Sequence, residues 1–256
     1  MDETASSVDQ AGALPARSAF ARTALLACGA VGAALAVAAD NIMLWQPASL
    51  AQVEQAGLGL VAAVPPDRVR LGSALGVPAF FLQAIGVLGV FACLRRTTDA
   101  IGALSVGVAG LLGFALFAGV AWHVSYPPLG VVANAPPGAM DEAARAGLTQ
   151  DLSRFLADFY YISVYAFTAG AVGLAALCLM GWTRFARWFA VVSPLLIQPL
   201  LQAALPALPD WLAVGLYVSS LNAALLLFFV AAIVSPKRRS LSGGQDRSSL
   251  VHSDMR

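Results

Sequence analysis

Six apolar runs, each about as long as a bilayer is thick, dominate this 256-residue chain. A helix needs about 20 consecutive apolar residues to cross the hydrocarbon core of a membrane. The runs are Ala19–Asn41, Leu71–Leu94, Ala100–His123, Phe155–Gly181, Phe185–Leu205 and Trp211–Val234. They predict an all-α, polytopic membrane protein: a compact bundle of six transmembrane helices with two longer exterior loops, at 46–70 and 125–154.

The composition agrees with that class and excludes others. Hydrophobic residues make up 59% of the chain and charged residues only 11%, whereas soluble domains are near 45–50% apolar and about 25% charged. A soluble enzyme, a disordered protein and a secreted disulfide scaffold are therefore excluded. The formal net charge of +1 leaves no field to attract nucleic acid. The predicted partners are the lipid bilayer and a lipophilic small molecule, and the oligomeric state stays open.

The distribution of Lys and Arg predicts the orientation. Eleven of the 15 basic residues fall on the side of the two termini, and four fall on the other side. We therefore expect a bacterial cell (inner) membrane protein with both termini in the cytoplasm. Polar tails at 1–18 and 237–256 are predicted to be disordered around a membrane domain at 19–236. In the alternative, Ala36-Val37-Ala38 is a signal-peptidase site, and its cleavage leaves five spans.

Glycine rows inside the runs indicate close helix packing rather than chemistry. Gly72 and Gly76 are four residues apart, and Gly107, Gly110 and Gly113 follow one another at helical spacing. Small residues at these intervals let helix backbones approach each other in lipid.

No motif of a soluble enzyme or of a metal centre is present. The chain lacks G-x-G-x-x-G, P-loop, H-E-x-x-H and D-D-x-x-D patterns, and its only histidines are His123 and His252. Two histidines cannot form a multi-histidine metal site. Cys28, Cys93 and Cys178 lie within apolar runs, which is typical of buried free thiols. We therefore expect no metal and no cofactor.

Three ionisable residues at a similar depth are the catalytic candidates: Asp158, Asp40 and His123. Ionisable groups inside a membrane are expensive, and each is a functional hypothesis by default. Asp158 shares a helix face with Tyr161 and Tyr165, at i+3 and i+7. We expect Asp158 to face the bundle interior within reach of Asp40 and His123.

Aromatic and amide side chains near these three groups predict a polar, aromatic-lined cavity. The predicted substrate-binding residues are Tyr161, Tyr165, Trp45, Trp122, Gln83, Gln198, Gln202 and Asn222. Structural alternatives remain open for several of them. Asp40 and His123 also suit a membrane–water interface, and Gln198, Gln202 and Asn222 also suit hydrogen bonds between helices.

Two motifs carry a resemblance to known proteins. A-D-N-x-x-L-W ends the first run, A-W-H-x-x-Y-P ends the third, and Arg70 precedes a Gly-rich second run. Over roughly residues 19–170 the chain resembles small bacterial six-span integral membrane proteins of unassigned function, which implies a compact six-helix bundle. It is more weakly similar to small integral-membrane terpene cyclases, in size, number of spans and carboxylates at helix ends.

The leading functional prediction is a membrane-embedded, metal-independent acid–base enzyme that acts on an apolar, isoprenoid substrate by terpene cyclase-like protonation and cyclisation. A carboxyl group in an apolar cavity favours its protonated form, so Asp158 is the expected acid. The rings of Tyr161 and Tyr165 would stabilise a cation, and His123 or Asp40 would take the final proton. The alternatives are a small transporter, a non-catalytic binding or assembly subunit, and a bundle whose polar contacts are purely structural.

Overall fold

The computed structural model describes residues 6–94 and 100–235, and the side chains from residue 19 onward except that of Leu58. These residues form eight α-helices and no β-strand, which confirms the all-α prediction. The helices are α1 (Ser6–Leu44), α2 (Leu50–Ala56), α3 (Pro66–Phe91), α4 (Ala100–Val124), α5 (Tyr126–Ala133), α6 (Glu142–Leu179), α7 (Pro194–Ala204) and α8 (Asp210–Val234). Short 3₁₀ helices cover Gly57–Ala63, Arg187–Val192 and Leu205–Ala207.

Five helical segments are long and apolar enough to span a membrane, which confirms the polytopic architecture. They are Ala19–Leu44, Pro66–Phe91, Ala100–Ala133, Glu142–Leu179 and Asp210–Val234. Two of them are much longer than predicted. The third continues through α5, and the fourth starts at Glu142 instead of Phe155 because Asp141 caps it with a hydrogen bond from the Ala144 N–H. Much of the second predicted exterior loop is therefore helical.

The fifth predicted span, Phe185–Leu205, is not one continuous helix, so five of the six predicted spans are continuous helices of membrane length among the described residues. This part of the chain is divided into the 3₁₀ helix Arg187–Val192, α7 and the 3₁₀ helix Leu205–Ala207. Pro194 starts α7 and Pro199 lies inside it. A proline has no backbone N–H and crowds the preceding turn, which interrupts a helix.

The divided segment nevertheless passes from one end of the bundle to the other. At its start, the Ala186 N–H donates to the Ser235 carbonyl, 3.2 Å away. Beyond its end, Asp210 accepts from the Leu50 N–H at 3.4 Å. The helical rise of residues 187–207 is about 34 Å, close to the thickness of a hydrocarbon core. We call the end that holds Leu50 and Asp210 the loop end, and the end that holds Ala186 and Ser235 the turn end.

α1 packs against α3 on one side and against α8 on another. Glycines bring α1 and α3 into backbone contact. A Cβ placed on Gly86 would lie 2.5 Å from the Gly29 Cα, and one on Gly72 would lie 2.6 Å from the Ala39 carbonyl oxygen. A second pair is formed by α4 and α6, and α7 packs on α8. A cavity lies among these helices.

The ends of the chain differ from the expectation in one respect. α1 starts at Ser6, so the helix covers most of the predicted N-terminal tail at 1–18. A helix extends easily from a turn that is already formed. Residues 1–5 and the predicted C-terminal tail at 237–256 lie outside the described residues.

Candidate active site

A buried carboxylate joins three helices of the bundle. Asp40 of α1 is only 3% exposed. Its Oδ1 lies 3.0 Å from Nε2 of His123 on α4, and its Oδ2 accepts a hydrogen bond of 2.8 Å from Nδ2 of Asn222 on α8. A charged group that is out of water is stable only when its hydrogen bonds are made. Here the two partners come from separate parts of the chain.

A fourth side chain extends this arrangement. Nε2 of Gln83, on α3, donates to Oδ1 of Asn222 at 3.1 Å. We call Asp40, His123, Gln83 and Asn222 the Asp40 cluster. All four residues are buried. The cluster therefore links the four helices α1, α3, α4 and α8 by polar contacts inside an otherwise apolar bundle.

The position of His123 depends on a glycine of the neighbouring helix. The imidazole fills the space beside Gly76, where an added Cβ would meet Nδ1 and would lie 2.7 Å from Cε1. The hydroxyl of Ser73 donates to the His123 carbonyl at 2.7 Å. The rings of Phe80 and Trp122 contact the imidazole edge-on. α3 thus holds the ring with its Nε2 directed at Asp40.

The hydrogen-bond pattern indicates the protonation state of the pair. Nδ1 of His123 is buried and has no hydrogen-bond partner among the described residues. A buried N–H without an acceptor is costly, so we assign the proton to Nε2, which can donate it to Asp40. Asp40 then accepts hydrogen bonds at both oxygens, as an ionised carboxylate does.

Asp40 and Asn222 form part of the wall of a cavity of about 420 Å³. This is the size of a pocket for a small organic molecule. Aromatic side chains make up much of the wall: Phe80, Trp122, Tyr126, Tyr160, Tyr161, Phe167 and Tyr217. His123 and Gln83 do not line the cavity. They lie behind the two residues that do, and they can act only through them.

A second polar group lines the same cavity from α7. Gln198 and Gln202 are one helical turn apart, and their Nε2 atoms both donate to the Ser220 hydroxyl of α8, each at 3.4 Å. All three residues line the cavity. Each carboxamide also has a further N–H and an acceptor oxygen. The cavity therefore combines a carboxylate, amide groups and aromatic rings.

The cavity opens between two helix pairs. α6 packs mainly on α4, α7 packs mainly on α8, and α6 and α7 have little contact. Tyr161 of α6 and Gln202 of α7 line the cavity and are also exposed. At the loop end, Gly57 and Leu60 cover it. The opening thus runs along the seam between α6 and α7.

Asp158 does not lie where the sequence predicted. The residue is exposed, and it neither lines the cavity nor reaches Asp40 or His123 by any hydrogen bond or ion pair found among the described residues. The face of α6 that is buried carries Leu156, and Asp158 points away from it. The prediction that Asp158 faces the interior was wrong.

The predicted binding residues divide into two groups. Trp122, Tyr161, Gln198, Gln202 and Asn222 line the cavity.

Three others do not line it. Gln83 is fully buried behind Asn222, and Tyr165 is 69% exposed on the outer surface of α6. Trp45 lies in a separate open groove beside Arg68 and Trp211, where its Nε1 donates to the Trp211 carbonyl at 3.1 Å.

Sequence reasoning missed Gly76 and several cavity residues. Tyr126 is 2% exposed and lines the cavity, and its signal was its position three residues after His123 in the A-W-H-x-x-Y-P motif. Ser220 and Tyr217 lie on the same part of α8 as Asn222. For Gly76 the only signal was a glycine in a helix, which does not say what fills the space beside it.

No set of three or more His, Cys, Asp or Glu side chains is grouped as a metal ion would require within residues 6–94 and 100–235. The cavity holds one carboxylate, and its other polar groups are hydroxyls, amides and the indole N–H of Trp122. The chemistry available from these side chains is proton transfer and hydrogen bonding.

Comparison with known proteins gives a family but no activity. The model of a family of unknown function (DUF6796) matches residues 21–239. No curated protein and no solved structure matches the chain. Because the match covers most of the sequence, the chain belongs to this family.

Proposed function

We propose that this member of a family of unknown function is a membrane-embedded, metal-independent enzyme that moves a proton on a lipophilic, isoprenoid-type substrate, with Asp40 as the general base. One observation carries the proposal. Asp40 is a buried carboxylate at the wall of a 420 Å³ aromatic-lined cavity. Ionisable residues inside membrane proteins mark functional sites far more often than chance.

The proposed reaction is an isomerisation next to a carbonyl group. The Asp40 carboxylate takes a proton from a substrate carbon, and the C–H electron pair forms an enolate. The enolate oxygen accepts an N–H of Gln198 or Gln202. The Asp40 carboxyl then returns the proton to a different carbon, the double bond shifts and the carbonyl forms again. No atom is gained or lost, and no co-reactant is needed.

His123 and Asn222 act as positioning residues in this scheme. Both donate to Asp40, and they hold its carboxylate at the cavity wall while it is charged. The scheme differs from the acid-first cyclisation expected from the sequence, because Asp40 is hydrogen-bonded at both oxygens and is proposed as the base. The aromatic walls would stabilise a cation, but the enolate scheme forms none, so cyclisation is not part of this proposal.

We also place the protein in a bacterial inner membrane with both termini in the cytoplasm. The eleven-to-four distribution of basic residues supports that orientation. It puts the loop end of the bundle, with Gly57 and Leu60 above the cavity, on the exterior side.

Exchange of substrate hydrogen in D₂O tests the proposed reaction directly. The purified protein in lipid nanodiscs is incubated with farnesal, a linear isoprenoid aldehyde, in D₂O, and the aldehyde and its products are analysed by mass spectrometry. Reversible proton removal by Asp40 introduces deuterium. We expect Asp40→Asn to lower the rate of exchange by about a thousandfold, within the range for loss of a general base.

Two control variants complete the experiment. Asp40→Glu keeps a carboxylate and should retain part of the exchange. Asp158→Asn removes a surface carboxyl and should leave the rate unchanged. If the wild type and Asp40→Asn introduce deuterium at the same rate, or if neither exceeds empty nanodiscs, the enzyme proposal is wrong.

A proton-coupled transporter is the second candidate, and the divided segment next to the cavity favours it. Broken helices beside a binding site near the middle of the bundle are typical of transporters, and α7 with Pro194 and Pro199 supplies Gln198 and Gln202. In proteoliposomes, farnesal-dependent proton uptake without deuterium exchange into farnesal would favour this candidate over the enzyme.

A further inference from the structure

The charge of the cavity narrows the class of molecule that can occupy it. Asp40 is the one acidic side chain in the wall, and no Lys, Arg or His lines the cavity among the described residues. An anionic head group would therefore enter a low-dielectric site that holds a like charge and offers no cation. Juxtaposed like charges in such a site oppose binding strongly.

The polar part of the wall suits an uncharged group instead. Gln198, Gln202 and Asn222 have amide N–H donors and carbonyl acceptors in the same cavity. A hydroxyl or carbonyl group can pair with such amides without bringing a charge. A site built to hydrogen-bond a polar group discriminates well between ligands that have it and those that lack it.

The rest of the cavity suits an apolar chain. Away from the polar groups, the cavity wall consists of apolar side chains that include Leu116, Phe167 and Leu225. The same three residues also line a small apolar crevice that continues between α4, α6 and α8. The seam between α6 and α7 opens towards the outer surface of the bundle, where Leu196 and Leu200 are exposed as lipid-facing residues are. An amphiphile dissolved in the bilayer can pass this seam sideways.

We propose that the cavity binds an amphiphile with an apolar, isoprenoid-like chain and an uncharged oxygen head group, an alcohol or a carbonyl, and that it rejects the phosphorylated form of the same molecule. This inference rests on the proposed site at Asp40 and names its substrate class. A reaction that removes phosphate from such a lipid would therefore precede this protein. The alternative is that its ligand is never phosphorylated.

A matched pair of ligands tests this inference by binding alone. The wild-type protein in detergent micelles is mixed with equal amounts of geranylgeraniol and geranylgeranyl diphosphate, and retained ligand is measured by native mass spectrometry. The two molecules share one chain and differ in head-group charge. We expect at least about a hundredfold preference for the alcohol, as expected for a desolvated like-charge contact.

Two variants connect the preference to the named residues. Asp40→Asn removes the negative charge and should reduce the preference for the alcohol at least about tenfold, by increasing retention of the diphosphate. Gln198→Leu should weaken retention of the alcohol about tenfold, whereas Tyr165→Phe, outside the cavity, should change nothing.

The outcomes separate this inference from the proposed enzyme activity. Retention of the diphosphate by the wild type as well as or better than the alcohol overturns the inference, and so does retention of neither. Selective retention of the alcohol, together with no deuterium exchange into farnesal, supports the inference and overturns the enzyme. The wild-type comparison alone decides the point if Asp40→Asn does not fold.

Discussion

Two aspartates, each set in an apolar helix, lie in opposite environments. Asp40 of α1 is buried and bonded to His123 and Asn222, whereas Asp158 of α6 is exposed. Both have apolar neighbours in the sequence, and Asp158 has the more regular pattern of aromatic residues around it. The comparison teaches that apolar neighbours place a charged residue within a span but do not say which side of the helix faces the protein.

The packing of α6 explains the difference. Its buried residues recur every three or four positions near the turn end, as at Gly170, Leu174 and Cys178, and this stripe rests on α4. Tyr161 and Tyr165 lie outside the stripe, and their rings stack on each other with centroids 6.2 Å apart. In contrast, α1 packs against α3 and α8, and Asp40 lies on its buried side with Ala33 and Ala36, opposite the exposed Val31.

The largest loss of stability should come from replacing the histidine of the Asp40 cluster. His123→Leu leaves the Asp40 carboxylate buried with Asn222 as its remaining hydrogen-bond partner. Removing a hydrogen-bond donor from a buried, charged acceptor in this way lowers the free energy of unfolding by about 3 kcal/mol or more. The measurement is thermal unfolding in detergent, followed by size-exclusion chromatography after heating.

His123→Gln is the matched control for that substitution. Its amide can still donate an N–H towards Asp40, and we expect a smaller loss of stability than for His123→Leu. Equal melting temperatures for His123→Leu and wild type would show that the Asp40 cluster contributes nothing to stability.

An intermediate loss of stability is expected when the glycine that makes room for the imidazole is replaced. Gly76→Ala places a Cβ against the His123 ring, so the ring must shift away from its position beside Asp40. Overpacking of this kind lowers the free energy of unfolding by about 1–3 kcal/mol. Deuterium exchange into farnesal should fall as well, because the shifted ring no longer holds the carboxylate.

Gly110→Ala gives the contrast within the same bundle. An added Cβ at Gly110, and likewise at Gly107 and Gly113, meets no heavy atom within 4 Å. The substitution should therefore leave both the melting temperature and the exchange rate at their wild-type values. A matching loss for Gly110→Ala would mean that the effect at Gly76 reflects helix composition and not the imidazole.

The smallest effects on stability and on deuterium exchange are expected for substitutions on the exposed face of α6. Asp158→Asn and Tyr165→Phe change groups outside the cavity, and surface substitutions of this kind alter the free energy of unfolding by no more than about 0.5 kcal/mol. Neither should change deuterium exchange. A collapse of exchange in Asp158→Asn with a normal melting temperature would reverse the assignment of the two aspartates.

Much of the fold could be predicted from the sequence, and less of the site. Run length and hydropathy identified the all-α membrane bundle, and five of the predicted spans correspond to segments that can span a membrane. The division of the fifth at Pro194 was only partly visible, since prolines within a run mark a kink but not its extent. Asp40, His123 and Asn222 were candidates from their chemistry, but nothing in their spacing connected them.

The sequence by itself determined the class of the protein, because hydrophobicity and the location of charges follow from composition along the chain. Only the tertiary structure decided which polar residues meet. Residues 40, 83, 123 and 222 come from four helices that touch because glycines let α1 and α3 approach closely and leave room for the imidazole beside Gly76. Helical periodicity relates residues within one helix, whereas the rotation of each helix about its axis depends on packing against the others.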